Sequence, residues 1–201
     1  MRFDHLAIVA ASLAEGLAYV ESALGVALAP GGQHPAMGTH NRLLRLGAGE
    51  YLEVIAVDPA APAPGRTRWF GLDGYAGAPR LAGWVAARDM GDATLEALLA
   101  ATGAGVAMDL ARGDLRWRMG VAAAGVMPFD GCFPALIDWQ AGHPAAHLPE
   151  AGCRLAALEI THPRAADLAL ALPLRDARVT VRAGAAGLRA AVDTPRGRVW
   201  L

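Results

Sequence analysis

The 201-residue sequence contains no lysine: all 18 of its basic residues are arginine. That excludes a Schiff-base lysine and the lysine of a Walker-type phosphate loop. An excess of one charge sign is missing too. With 19 acidic residues the formal net charge is −1 and no basic run occurs, so nothing points to nucleic acid. The two cysteines, Cys132 and Cys153, lack metal-ligand spacing and give no disulfide framework. No apolar run reaches the ~20 residues that span a bilayer, and residues 1–10 read as a strand carrying Asp4 rather than a signal peptide. The expectation is a soluble, cytoplasmic protein with neither a membrane nor a nucleic-acid partner.

What is present is core-forming material, 54% hydrophobic residues with a mean hydropathy of +0.30, enough for one compact unit or two small ones. The order of elements repeats. Arg2–Val9 reads as a strand, and Ser12 with Glu15 has capping-box spacing. Leu13, Leu17, Val20 and Leu24 then form a helical stripe that stops at Gly25. Short strands at 26–29, 41–46 and 51–57 complete a βαβββ order within residues 1–58, with residues 33–38 read as a loop. Residues 59–80, rich in Pro and Gly, read as a linker, and its Trp69, Phe70 and Tyr75 suit docking on a surface or a pocket wall. The βαβββ order returns over 81–142, with Asp92 as the expected helix cap, Gly103 as its stop and Leu115–Ala122 and Pro134–Gln140 among its strands. A shorter βαββ-type unit follows over 153–201, with Pro163 opening its helix and Pro173 closing it. The fold class expected is α+β.

Two residues break the apolar strands. Glu53 sits in Tyr51–Val57, a run that reads as buried on both faces. An ionised carboxylate there needs a cation, a donor set or a wet cavity, because burying it alone costs several kcal/mol or more. His5 stands in the opening strand, where alternation puts it with Phe3, Ala7 and Val9. Each has an ordinary reading, a hydrogen-bonded core histidine and an edge-strand glutamate that reaches solvent. Their occurrence in one small unit, beside the glycine-rich loop Gly31–Gly38, favours a functional pocket.

The opening FDHLAIV, the combination GGQHPAMGTHNRLL with YLEVIAVDP, and the later PALIDWQ resemble the glyoxalase-like domain family of the vicinal-oxygen-chelate superfamily. The resemblance spans roughly residues 1–180 and is strongest over 3–58. It implies paired βαβββ modules whose curled mixed sheets enclose a cavity, with a divalent metal held by first and last strands of each module. His5 and Glu53 match in the first module, a pair that suits Zn, Fe, Mn or Ni. In the second module, Gly83 or Trp84 stands where a ligand is expected, and the closing strand offers Asp138. His34 and His40 are the candidate substitutes. The family motif favours His34, Thr39 and Asn41 as substrate contacts, with Trp139 in the same role, whereas His143, His147 and His162 read as loop and cap residues.

The resemblance thus implies a pocket for a small organic molecule; a homodimer is the candidate assembly. Lyase or isomerase chemistry next to a carbonyl would use Glu53 as base and His5 as ligand or hydrogen-bond partner. The alternatives are a protein that sequesters a small molecule in a cavity lined by Trp69, Phe70, Trp84 and Trp139, and a structural module filled by its own side chains.

Overall fold

The computed structural model describes residues 1–172, 174 and 176–201. In the first module, β1 (Arg2–Val9), α1 (Leu13–Leu24), β2 (Ala29–His34), β3 (Thr39–Gly47) and β4 (Glu50–Val57) follow in order. The second has β5 (Arg80–Ala87), α2 (Leu95–Thr102), β6 (Val106–Arg112), β7 (Leu115–Val121) and β8 (Ala135–Ala141). Both modules pair their first strand in parallel with their last, β1 with β4 and β5 with β8. The antiparallel pair β1–β5 fuses them into one curled eight-stranded sheet of order β2-β3-β4-β1-β5-β8-β7-β6.

Local chemistry accounts for the helices. Ser12 accepts the Glu15 N–H at 3.2 Å, and Gly25 closes α1 in the left-handed region at φ 69°. For α2 the cap is Thr94, not Asp92, whose carboxylate instead accepts the Asp89 N–H at 2.8 Å. The helices and the C-terminal unit cover the outer face of the sheet, where Leu6, Ile8, Leu52, Val54, Trp84 and Leu136 are buried. The inner face carries Ala7, Val9, Ile55, Val85, Trp117, Met119 and Ile137.

The C-terminal unit has β9 (Arg154–His162), α3 (Ala165–Ala171), β10 (Val179–Ala183), β11 (Gly187–Thr194) and β12 (Gly197–Trp200). Three strands follow its helix, and the pairing differs from the modules: β9 lies parallel to β10, the first strand after the helix, in the order β10-β9-β11-β12. Its Leu155, Leu158 and Ile160 pack on the outer-face core with the unpaired Cys132 and Cys153. The α3 entrance is set by His162, whose Nδ1 accepts the Arg164 N–H at 2.9 Å, and Pro163 precedes the helix rather than opening it. The stop expected at Pro173 lies outside the described residues.

Two departures from simple alternation shape the cavity. The β1–β5 register slips between Phe3 and His5, so Asp4 is an extra residue in β1. This bulge sends Phe3 to the outer core beside Trp84 and leaves Asp4 and His5 together on the inner side. The second is in β2, which reaches to His34 because Gln33 and His34 pair with His40 and Thr39. Gly31 and Gly32 are needed there for close approach rather than for a positive φ. A Cβ on Gly31 would lie 2.2 Å from the Asn41 side-chain oxygen, and one on Gly32 would lie 2.5 Å from Cδ of Arg112.

Candidate active site

The inner face encloses a small cavity of about 30 Å³, or about 380 Å³ of empty space with its mouth included. The first module lines it with His5, His34, Asn41, Tyr51 and Glu53, and the second with Arg112, Trp117, Met119, Ile137 and Trp139. Trp69 and Phe70 close one side, so these linker aromatics form a pocket wall.

His5 and Glu53 share this cavity, His5 Nε2 lying 3.6 Å from Glu53 Oε1. Behind His5, its Nδ1 donates to Asp4 Oδ1 at 2.6 Å. Asp4 is fully buried. Its other oxygen accepts from Trp139 Nε1 at 2.9 Å and from His143 Nε2 at 3.1 Å. The direction of the His143 bond follows from its own cap role, since His143 Nδ1 already accepts the Ala145 N–H at 3.2 Å. On the far side, Asn41 donates to Glu53 Oε2 at 2.8 Å, while its oxygen accepts from Gly32 N–H at 2.9 Å and Arg112 Nη1 at 3.0 Å. His34 Nε2 accepts from Arg112 Nη1 at 3.3 Å, so its Nδ1 carries the proton and donates to Thr39 Oγ1 at 3.1 Å. Tyr51 stacks on His5 with ring centres 4.3 Å apart.

Burial alone would strip the proton from His5, but the bond to Asp4 and the nearby Glu53 carboxylate outweigh it and raise the imidazole to about 9. Glu53 is pushed up by burial and pulled below the usual glutamate range by His5 and Asn41. Asp4 follows the same balance, its donors His143 and His5 holding it well below an ordinary aspartate. At neutral pH the cluster is therefore carboxylate, imidazolium, carboxylate. His34 goes the other way: burial, aided by the Arg112 charge and opposed by Glu53, lowers it to about 4.

These shifts give a pH prediction. The raised His5 stabilises the fold fully below its unfolded value of 6.5, and that contribution fades as pH rises through about 9. The lowered His34 stabilises above 6.5, and its contribution is lost as pH falls from there towards about 4. Lowered Asp4 and Glu53 add to the loss at acid pH, below their unfolded values of 3.8 and 4.5. Urea midpoints against pH are expected to peak near 6.5, and His34→Gln is expected to flatten the limb between 4 and 6.5. A flat profile through that range in the unmodified protein would refute the assignment.

Of the other residues singled out in the sequence, Thr39 supports His34 and Trp139 lines the cavity while holding Asp4. His40 alternates to the outer side of β3. Asp138 is not in the cavity; it stands on the outer face of β8 with Leu136 and meets Arg88 at 3.5 Å. Trp84 also faces outward, donating to the Cys132 carbonyl at 3.0 Å. The inner position beside it is Gly83, which leaves room for Phe70: a Cβ there would lie 2.7 Å from the ring. Asp4, Arg112, Trp117 and His143 were not singled out for the site.

The divalent metal implied by the family does not fit this donor set. The second module presents Gly83, Val85, Ile137 and Trp139 at its inner positions, and both ring nitrogens of His34 are engaged, by Thr39 and Arg112, so only His5 and Glu53 remain, short of the three protein ligands common in catalytic sites. Among the described residues no group of three or more His, Cys, Asp and Glu is arranged to hold an ion. A metal on His5 Nε2 would also have to displace the proton that faces Glu53.

No curated protein matches the sequence. Methylmalonyl-CoA epimerase from Mycobacterium tuberculosis is a structural neighbour at 17% identity and a TM-score of 0.44, over 72% of this chain and 91% of that one. The profile of the glyoxalase-like domain matches residues 3–175. With most of its length in that match, the chain belongs to the glyoxalase-like domain family.

Proposed function

We propose that the chain is a lyase or isomerase that moves a proton on the carbon next to a carbonyl group of a small organic molecule. The observation that carries this reading is the chain Asp4–His5–Glu53 at the cavity wall. Keeping three charges there costs desolvation, which a cavity meant only for apolar contact does not need. Glu53 is ionised at neutral pH and accepts the proton from carbon. The electron pair of that C–H bond moves to the carbonyl oxygen, where the Nε2–H of the His5 imidazolium donates as negative charge develops. Asp4 fixes the ring and its charge. Because Glu53 is a weaker base than an ordinary glutamate, that oxygen contact must supply much of the driving force. Return of a proton to the opposite face of that carbon, or to the neighbouring carbon of the enolate system, gives isomerisation; loss of a group one carbon further on gives elimination.

The second reading, sequestration without chemistry, draws on the wall of Trp69, Phe70, Trp117 and Trp139. Proton NMR in D2O separates the two, using a panel of small ketones, 2-oxo acids and 3-oxo acids. Protein-dependent exchange of deuterium into the carbon next to the carbonyl is expected for at least one compound. Compounds that bind and never exchange would favour sequestration.

A further inference from the structure

We infer that Arg112 anchors a substrate carboxylate, so that the molecule taken by the cavity is a small oxo acid; this rests on the proton-transfer reading of the same cavity. Arg112 ends β6 and reaches across the sheet edges, its stem lying over Gly32. Its Nη1 donates to two neutral acceptors, the Asn41 oxygen and His34 Nε2. Arg118, Arg154, Arg178 and Arg198 each hold a carboxylate, but among the described residues none lies within ion-pair distance of Arg112. Its Nε and Nη2 donors likewise have no protein acceptor among the described residues. A cation on a cavity wall with half its fork unused matches a carboxylate, which accepts two parallel N–H bonds. One cation next to the ionised Glu53 suits a monoanion better than a phosphate dianion. Trp69, also on the wall, has a buried indole N–H with no acceptor among the described residues, a further donor for a ligand oxygen.

The spacing fits the chemistry. The Asn41 amide touches Arg112 with its oxygen and Glu53 with its nitrogen. Arg112 and Glu53 thus flank one amide, which puts an anion held by the guanidinium and the base on the same side of the cavity.

The test compares pyruvate and acetoacetate with the neutral ketone acetone, using the full chain and tryptophan fluorescence as the binding signal. One of the acids is expected to bind about ten-fold or more tighter than acetone, the usual worth of a hydrogen bond to a charged group. Arg112→Gln should abolish the preference, and Arg112→Lys should restore part of it. Equal binding of acid and ketone, no binding of either acid, or an undiminished preference in Arg112→Gln would overturn the inference. So would displacement by inorganic phosphate at lower concentration than by either acid. If Arg112→Gln folds poorly, the acid–ketone comparison on the unmodified chain still decides. Deuterium exchange is read separately: an acid held through Arg112 without exchange sinks the proton-transfer reading alone, and exchange into acetone unaffected by Arg112→Gln sinks the anchor alone.

Discussion

Glu53→Gln is expected to lower the rate of protein-dependent deuterium exchange by about 10²–10⁴-fold, the usual contribution of one acid–base group. The amide keeps the volume and an oxygen for Asn41, which donates to the native carboxylate at 2.8 Å. What it loses is the pair of electrons that takes the proton. Ligand affinity should change far less than rate, because the contacts to Arg112 and the aromatic wall are untouched. His5 would lose one of the two carboxylates that raise it to about 9, so its titration, followed by NMR, should move down. An exchange rate equal to that of the unmodified protein would remove Glu53 from the reaction.

Asp4→Asn should have the largest effect on stability. Three donors converge on Asp4: His5 Nδ1 on one oxygen, Trp139 and His143 on the other. Asparagine offers one oxygen, so its NH2 group must face at least one donor, and the buried imidazolium loses its nearest countercharge. Breaking a buried, hydrogen-bonded charge pair in this way costs about 3–5 kcal/mol. For a chain of this length that corresponds to a fall in Tm of roughly 6–20 °C. Thermal unfolding at pH 6.5, where the site's stabilisation is expected to peak, is the measurement. A fall under about 1 kcal/mol would mean that the cluster is solvated and cheap to disrupt.

How much of this was legible in the sequence depended on whether alternation held. The capping box at Ser12 and the apolar stripe gave α1, and the pattern around YLE gave β4 with Glu53 inside. His5 and Glu53 do share one cavity. The misplacements have one physical origin, since a one-residue shift of parity turns every side chain of a strand to the other face. Of Gly83 and Trp84, both weighed for one ligand position by likeness to the first module, Trp84 lies on the outer face of its strand, as does Asp138. Asp4 was read only as a charge in a strand, because the bulge that brings it beside His5 leaves no mark in composition. Arg112 is one arginine among 18. Only the meeting of β6 with Gly32, some eighty residues earlier, sets it apart.

That meeting makes the cavity a joint possession of two halves with different tasks. The groups proposed to handle the proton, Asp4, His5 and Glu53, come from residues before the linker, while the arginine and two of the tryptophans come after it. Neither half alone makes a cavity, so fragments severed within 59–80 and produced separately would regain ligand binding only by reassociating. Descendants of this chain would also be free to drift unequally: substitutions at the tips of β6, β7 and β8 can retune which molecules enter while the reacting end stays fixed.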